Sequence, residues 1–397
     1  MFSERFYDQP YCSSLYDIMI NTSIIWDPED IAPYRESWEQ LFDGGSFEPS
    51  VSFEWTNALK NNHNALFARF FLVVIKRGNL ILGIVPMIVK EEPILGQVLV
   101  TLSPISELYN THSDFLIAEY SAELSESFVD TLMKLPCRWD LFRVTRMLEG
   151  HPFFNSLTNA LTTRRVKYRT RFEQPSFFLE LDHTFEAYLS KRSSKFRNFL
   201  KRAQKKLDLQ GKVNFIKVNE TNDFEQIYSS LLKIEKDSWK HAHGTAISSV
   251  HRQTGFYQDL CRAAQKTGRL HLMFLLIDNV PVAYDMGLIH GEQYSYLKTS
   301  YIHRLKPFSP ATVLRARLIE TLVSEGIRHF DFPGEPHTWE KQWTDDLRWH
   351  KSIVAFNKTV KAQSILALST VKDLLRGSAM EKQLIYHEPR DLKSPGN

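Results

Sequence analysis

The chain has 397 residues, of which 43% are hydrophobic and 24% are charged, and its formal net charge is +3. This composition is typical of folded globular proteins and excludes a disordered, collagen-like or disulfide-stapled chain. The length suggests two domains. A charge this small for the size of the chain argues against a dedicated nucleic-acid-binding protein, so we expect no DNA partner.

The cysteines and the first residues indicate where the protein works. Cys12, Cys137 and Cys261 lie far apart and form no CxxC pair, which argues against a zinc ribbon or a redox dithiol and fits a reducing compartment. Residues 1–10 lack the apolar core of a secretory signal. No run reaches the ~18 uncharged apolar residues that a membrane span needs. We therefore expect a cytoplasmic protein without a transmembrane segment.

The first half of the chain opens with β-structure. Residues 70–75 and 80–89 are apolar and flank a polar turn that contains glycine, which predicts a hairpin. Apolar residues at helical spacing predict a helix over 122–135. Further strands are predicted at 98–102, 114–117 and 141–144.

The second half repeats this order about 200 residues later. A hairpin is predicted from residues 270–277 and 281–289, and alternation predicts a strand over 293–301. Apolar residues at helical spacing predict a helix over 312–324, closed by Gly326, and another strand follows at 327–332. The chain is therefore an internal duplication at the level of its architecture.

Gln174-Pro175 interrupts the pattern between the two sets of elements. We accordingly predict an N-terminal domain over residues 1–175 and a C-terminal domain over 176–357. Residues 358–397 are expected to form one amphipathic helix, Val360 to Leu375, and a polar tail.

A basic helix is predicted between Ser190 and Leu207. Eight Lys and Arg side chains occur there, and its apolar residues recur every three or four positions. The helix is either a solvated surface helix docked by its phenylalanines or an anion-attracting wall beside a phosphate-bearing ligand. Binding to a membrane surface or to RNA is a third interpretation.

Several blocks occur in a recognisable order: FEW (53–55), LSKRSSKFRNFLKR (189–202), the hairpin 272–288, FSPATVL (308–314), GIRHFDFPGE (326–335) and KQW (341–343). This order resembles that of the BioF2-like and CelD-like acyltransferases, which belong to the GNAT superfamily and are related to the Fem transferases. The resemblance implies an α/β fold of two tandem GNAT-like domains, each a mixed, mainly antiparallel sheet flanked by helices, with the acyl-donor site in the second domain.

The same resemblance implies a donor site where a loop enters the helix near Thr312. There the phosphates of an acyl-CoA, most simply acetyl-CoA, would lie on backbone N–H groups at the helix N-terminus, with added charge from Arg304. The site would comprise Ser309, Pro310, Ala311 and Thr312. The other interpretation is a capped helix next to a basic surface loop. Many relatives have glycine where this chain has Ala311, so the turn must form without left-handed backbone at that position, or donor binding is altered.

Amine acylation also needs a base for the amine and a proton donor for the leaving thiolate. Asp331 lies between two phenylalanines, where a carboxyl should have a raised pKa, and is one candidate base; it could equally cap the following Pro-Gly turn. Glu335 is a second candidate base. Tyr296 is the candidate proton donor, with cross-strand packing as its alternative role.

The acceptor site is expected to use residues near these candidates. Side chains that could border it are Trp239, Tyr284, Asp285, Lys298 and Lys341. His241 and His243 have no further ligand at a suitable spacing, so we expect no metal site.

The sequence therefore predicts an N-acyltransferase that moves an acyl group from an acyl-CoA thioester to an amine on a small molecule or saccharide, in cell-envelope or polysaccharide biosynthesis. An acyl carrier protein could replace CoA as donor. Two alternatives stay open: a Fem-like aminoacyl transferase that uses charged tRNA, and a non-catalytic GNAT-like protein that binds an anionic saccharide or carrier.

Overall fold

The fold is described from a computed structural model for residues 19–375, except 28, 30, 64–67, 110 and 111. These residues form one continuous twelve-stranded sheet with helices on both faces. The strands are β1 (Ile20–Trp26), β2 (Arg69–Arg77), β3 (Leu80–Ile94), β4 (Gln97–Pro104), β5 (Leu141–Leu148), β6 (Lys167–Glu180), β7 (Val213–Lys217), β8 (Leu270–Ile277), β9 (Val280–His290), β10 (Gln293–Tyr301), β11 (His329–Asp331) and β12 (Leu347–Phe356).

The helices pack against both faces of this sheet. They are α1 (Arg35–Asp43), α2 (Phe53–His63), α3 (Ala122–Met133), α4 (Pro152–Thr163), α5 (Phe185–Ser190), α6 (Ser194–Asp208), α7 (Phe224–Lys236), α8 (Trp239–Ala242), α9 (His251–Lys266), α10 (Pro310–Ser324) and α11 (Val360–Leu375). None of the described helices is both long and apolar enough to cross a membrane.

The two halves of the sheet repeat one topology. In each half four strands pair antiparallel in chain order, β1 to β4 and β7 to β10, and a crossover then leads to a parallel fifth strand. The crossover contains α3 before β5 and α10 before β11. The predicted α/β fold, with two tandem domains of mainly antiparallel sheet flanked by helices, is confirmed.

The halves exchange their last strands, which joins the two sheets. β12, from the end of the second half, pairs with β5 of the first half, and β6 pairs with β12 along residues 167–177 and with β11 along 178–180. Residue 175, where we expected the domain boundary, lies inside β6. No linker separates the halves at that point, because β6 contributes hydrogen bonds to both parts of the sheet.

Three large apolar clusters hold the layers together. One lies on the α3 and α4 face of the first half, and another under α5, α6 and α10 of the second half. The third contains residues of both halves, among them Trp55 of α2 and Phe256 of α9, whose rings meet edge to face with centroids 5.2 Å apart. A shared core of this kind fixes the halves relative to each other.

Most predicted elements are present with small shifts of their ends. Both hairpins, the strand at 293–301, the helix at 360–375 and the basic helix, now α6, are confirmed. The strand predicted at 114–117 is wrong, because only Ile117 bridges to Gly83 there. The strand predicted at 327–332 is confined to β11. Residues 1–10 and the polar tail lie outside the described residues.

Candidate functional site

The entry into α10 has an unusual backbone. A turn of 3-10 helix, His303–Phe308, leads to Ser309, which has a φ of 55° and lies in the left-handed region. Pro310 begins the helix, where its fixed φ and missing N–H cost nothing. Ala311 is already helical, so the left-handed residue is Ser309. The turn therefore forms without a left-handed backbone conformation at Ala311, the residue that replaces the glycine of many relatives.

A cavity of about 280 Å³ opens beside this turn, between α6 and the start of α10. We call it the cationic cavity. Its lining residues are Phe199, Arg202, Ala203, Lys206, Pro307 and Ser309. The Ser309 hydroxyl does not cap the helix, and the N–H groups of Thr312 and Val313 donate to the Ser309 carbonyl oxygen. A helix N-terminus with two neighbouring cations attracts anions.

The basic face of α6 extends this positive charge. Lys195, Lys201, Arg202, Lys205 and Lys206 are exposed. Within the described residues none of the five forms an ion pair, whereas Phe196, Ala203 and Leu207 are buried against the core. Since one residue turns a helix by about 100°, Arg202 and Lys206 lie on the edge next to the cavity, and Lys201 and Lys205 lie farther round, toward solvent.

The parallel pairing of β10 with β11 stops after three residues, because β11 ends at Asp331 while β10 continues. They pair only over residues 293–295 and 329–331, whereas β10 continues to Tyr301 paired with β9 alone. A bulge between Tyr296 and Lys298 occurs where this pairing stops. The gap that this leaves runs along β10 toward the 3-10 turn and the start of α10.

One buried arginine lies under this gap. Arg315 of α10 forms an ion pair with Asp285. The Cζ atom of its guanidinium also lies 4.8–5.5 Å from the centroids of four aromatic rings. These rings belong to Tyr296, Phe330, Phe332 and Trp339. Burial, more than any other effect, raises the pKa of Tyr296, so its phenol keeps its proton. Glu340 is buried nearby, and burial raises its pKa to about 8.

A second cavity, of about 310 Å³, lies at the other end of the gap, between the two halves of the chain. We call it the aromatic cavity. Its lining residues are Trp55, Tyr109, Tyr257, Tyr296, Leu297, Pro333, Gly334, Glu335 and His337. The structure thus brings the predicted residues Tyr296 and Glu335 together in one cavity.

Asp331 lies on the opposite face of β11 from the phenylalanines beside it, in a buried ionic cluster. Its Oδ2 is 3.3 Å from Nδ1 of His112 and 3.2 Å from Nη1 of Arg348, and Glu48 approaches the same His112 nitrogen at 3.5 Å. Burial would raise the pKa of Asp331, but His112, Arg348 and Arg146 outweigh burial and lower the pKa. The expectation of a raised pKa is therefore wrong.

The atoms of Glu48, His112 and Asp331 are close enough to hold a metal ion, since they lie within 4.8 Å of one another. The surrounding charge is positive, however, with Arg348 on the same carboxylate oxygen of Asp331. Burial, helped by the cations His112, Arg146 and Arg348, lowers the pKa of the adjacent His350 to about 2. A protonated His112 fits this place better than a metal cation does.

A third cluster surrounds the predicted residues Tyr284 and Lys298. The Tyr284 hydroxyl donates to Oε1 of the buried Glu235 at 2.6 Å, and Lys240 lies 3.6 Å from the same oxygen. Lys298 lies over the ring of Tyr257 at 5.1 Å. Burial and the nearby Lys240 lower the pKa of Lys298 to about 8.

The remaining predicted residues do not line the aromatic cavity. Trp239 is 41% exposed at the start of α8, and Lys341 is exposed in the 3-10 turn Glu340–Gln342. Arg304 is exposed in the loop before α10 and is not part of the cationic cavity lining. Asp285 is fully buried and bonded to Arg315.

The sequence does not identify the cavity residues that come from distant segments. Trp55, Tyr109 and Tyr257 belong to α2, to a 3-10 turn and to α9, and nothing in their local sequence marks them as neighbours. For Arg202 and Lys206 the signal existed, because the basic run in α6 had suggested an anion-attracting wall.

Comparison with known proteins gives this arrangement a family. Residues 194–341 match the family described as "Acetyltransferase (GNAT) domain". The second half of the chain contains a GNAT domain. The predicted resemblance to the GNAT superfamily is confirmed, and this domain includes the cationic cavity, the gap between β10 and β11 and most of the aromatic cavity.

Solved structures share the fold over most of the chain. FemX is similar with a TM-score of 0.58 and 11% identity, over 84% of this chain and 98% of FemX. The C-terminal domain of a putative lysylphosphatidylglycerol synthetase from Agrobacterium fabrum has a TM-score of 0.54 and 11% identity, over 86% of this chain and 96% of that one. L-PGS from Bacillus licheniformis has a TM-score of 0.50 and 11% identity, over 84% and 95%. No curated protein matches the chain.

Proposed function

We propose that this GNAT protein is an N-acyltransferase that moves an acyl group from an acyl-CoA thioester, most simply acetyl-CoA, to an amine. The observation that carries the proposal is the gap between β10 and β11, which has a cationic cavity at one end and an aromatic cavity with a carboxylate at the other. An extended thioester arm needs such a path between a phosphate site and an acceptor site.

In this proposal the donor phosphates bind at the start of α10. Arg202 and Lys206 supply charge, and the N-terminus of the helix, next to Ser309, supplies the positive end of the helix dipole. The pantetheine arm would follow the edge of β10 that β11 leaves unpaired beyond Ser295. Its thioester would then reach the bulge next to Tyr296.

The reaction joins the acceptor nitrogen to the acyl carbon and breaks the carbon–sulfur bond. Glu335 lines the aromatic cavity and would take the proton that the amine loses. Tyr296 keeps its phenolic proton and would deliver it to the departing thiolate. Asp331 is a poor base because its carboxylate is already held by His112 and Arg348.

Titration calorimetry with CoA and acetyl-CoA tests the donor site. We expect binding in the wild type and a loss of at least tenfold in affinity when Arg202 and Lys206 are both replaced by Glu. The matched control replaces Lys201 and Lys205 by Glu, which makes the same change of charge on the outer side of α6 and should have a smaller effect. Equal losses in both variants would contradict a phosphate site at α10, and no binding by the wild type would refute CoA as donor.

The basic face of α6 favours a second candidate, aminoacyl transfer from charged tRNA. Five exposed cations on one helix face can track a phosphate backbone. Binding of tRNA that weakens steeply with salt, together with no response to CoA thioesters, would favour this candidate.

If an acidic acyl carrier protein is the donor, the protein would transfer acyl groups from carrier-bound thioesters. A non-catalytic protein would bind an anionic saccharide or carrier without turnover.

The proposal also includes the acceptor, the subfamily and the pathway that the sequence predicts. The acceptor class, the BioF2-like or CelD-like kinship and a place in cell-envelope or polysaccharide biosynthesis rest on the resemblance of sequence blocks alone. A screen of amines with acetyl-CoA, with release of free thiol as the readout, tests the acceptor class directly.

A further inference from the structure

The aromatic cavity has a chemistry of its own. Four of its walls are aromatic rings, which come from Trp55, Tyr109, Tyr257 and Tyr296, and its acidic group is Glu335. No lysine or arginine is among the described residues that line it. Lys298 lies against the ring of Tyr257 and Arg315 against the ring of Tyr296. Aromatic faces carry negative partial charge and bind cations, so the rings of Trp55 and Tyr109 add to the full negative charge of the carboxylate. The cavity therefore favours a positively charged group.

Trp55, one of these walls, carries a buried hydrogen-bond donor. The residue is 2% exposed, and its indole nitrogen Nε1 is buried without a hydrogen-bond partner among the described residues. Buried indole N–H groups usually have a partner, because leaving one unpaired costs free energy. Neighbouring side chains cover this nitrogen in the structure, so a neutral oxygen of a ligand would become its partner by displacing them.

Both halves of the chain build the cavity. Trp55 and Tyr109 come from the first half, and the opposite wall is the turn at Pro333-Gly334 after β11. Arg146 of β5, which is buried, donates from Nη2 to the carbonyl oxygen of Gly334 at 2.6 Å. The first half thus supplies two aromatic walls and also holds the turn that carries Glu335.

We propose that the aromatic cavity binds the acceptor as an organic ammonium with a neutral hydrogen-bond acceptor next to it and no free carboxylate. This inference rests on the proposed N-acyl transfer and narrows its acceptor. Glu335 would take the first proton of the ammonium, which frees the nitrogen lone pair for attack, and the second proton lost on amide formation would pass to Tyr296 as the phenol protonates the thiolate. Amino sugars, amino-acid amides and amino-acid esters meet the description. Free amino acids do not, because their carboxylate would face Glu335, and the two cations that lie against cavity rings already have partners: Lys298, over Tyr257, bonds to Gln253, and Arg315, over Tyr296, pairs with Asp285.

Three small probes of similar size separate the requirements. L-alaninamide has the ammonium and a neutral carbonyl, L-alanine replaces the amide by a carboxylate, and propionamide lacks the ammonium. Saturation-transfer NMR should show binding of alaninamide at least tenfold tighter than that of alanine or propionamide. Glucosamine and glucose form a second pair in which only the ammonium differs, and glucosamine should bind more tightly.

Variants assign the binding to the cavity. Trp55→Phe keeps an aromatic wall but removes the N–H group, and should weaken alaninamide binding several-fold. Trp349→Phe is the matched control, since Trp349 is 37% exposed, packs edge to face on Phe172 and does not line the cavity. Thermal melting of each variant checks that it is folded.

The outcomes separate this inference from the proposed function. If alanine or propionamide binds as tightly as alaninamide, or if Trp55→Phe changes nothing while remaining folded, the inference is overturned. Acetyl-CoA titrated against the same samples reports the donor site independently. Donor binding without a preference for ammonium probes would refute only the acceptor class, whereas ammonium binding without any thioester binding would leave the cavity intact and refute acyl transfer from CoA.

Discussion

The buried ionic cluster at β11 should make the stability of this protein depend on pH through one histidine. His112 is fully buried, and its Nδ1 lies 3.3 Å from Asp331 and 3.5 Å from Glu48. Its Nε2 is 3.2 Å from Oγ of Ser176, which also contacts His350 at 3.0 Å. Burial lowers the pKa of His112, but the two carboxylates outweigh burial and raise the pKa to about 9.

The size of the effect follows from linkage. A histidine in the unfolded chain has a pKa of about 6.5, and one unit of pKa difference corresponds to about 1.4 kcal/mol. The shift of His112 therefore corresponds to about 3 kcal/mol. Because the folded pKa is the higher one, this stabilisation is fully present below pH ~6.5 and is lost as the pH rises through 9. Asp331 has the opposite pH dependence, because its pKa is lower in the folded state than in the unfolded state. Its contribution to the free energy of unfolding is therefore present above the unfolded pKa and is lost as the pH falls through the folded pKa.

Urea unfolding at pH 6.5 and pH 9.5 measures this contribution. We expect the free energy of unfolding of the wild type to fall by about 3 kcal/mol more than that of His112→Asn, because asparagine does not titrate in this range. His303→Asn is the control, since His303 is exposed and should leave the pH dependence unchanged. If the wild type and His112→Asn lose stability equally between the two pH values, the histidine is not protonated in the fold and the reasoning is refuted.

Three further substitutions separate catalysis, stability and acceptor binding. Glu335→Gln should lower kcat about 100-fold, the usual contribution of a general base, with the KM for the donor unchanged; a changed donor KM with normal kcat in steady-state assays would contradict its role. Asp331→Asn should instead lower the free energy of unfolding by about 3 kcal/mol in urea titrations, because it leaves the buried His112 with Glu48 alone and removes the carboxylate that Arg348 contacts. A stable variant with impaired kcat would make Asp331 catalytic after all. Arg146→Lys should lose the hydrogen bond to Gly334 and raise the KM for the acceptor about tenfold. An unchanged KM would show that the turn at Pro333-Gly334 keeps its position without this hydrogen bond.

The sequence allows the elements to be predicted because each carries its own periodic pattern. The hairpin of β8 and β9 is an apolar run around Asp278-Asn279, and both turn residues have positive φ, at 50° and 65°. Asn and Asp tolerate that conformation better than other non-glycine residues, so the turn is visible in the sequence. The stripe of α10 is equally local.

The exchange of strands could not be predicted in this way. Nothing in the sequence of β12 indicates that it pairs with β5, about 200 residues earlier, and not with β11 of its own half. The predicted boundary at residue 175 used the proline as an interruption. Pro175 instead lies inside a strand that crosses from one half of the sheet to the other.

The prediction for Asp331 failed for the same reason. Its neighbours along the chain, Phe330 and Phe332, suggested an apolar setting and a raised pKa. Successive side chains of a strand point to opposite faces, however, so Asp331 meets His112 and Arg348 and not the aromatic rings. Residues that are distant in the sequence supplied the charges that set its pKa.

The strand exchange also bears on what the first half contributes to the site. If the halves were separate domains, the turn at Pro333-Gly334 could shift with respect to Trp55, and the aromatic cavity would vary in width. β6 and β12 tie both parts of the sheet together, and the contacts of Asp331 with His112 and of Arg146 with Gly334 cross between the halves on either side of this turn. Arg146 itself has a φ of 54°, a conformation that costs a residue with a side chain about 1–2 kcal/mol. A strained and buried arginine that bonds to the wall of the aromatic cavity shows that the first half fixes the geometry of this cavity.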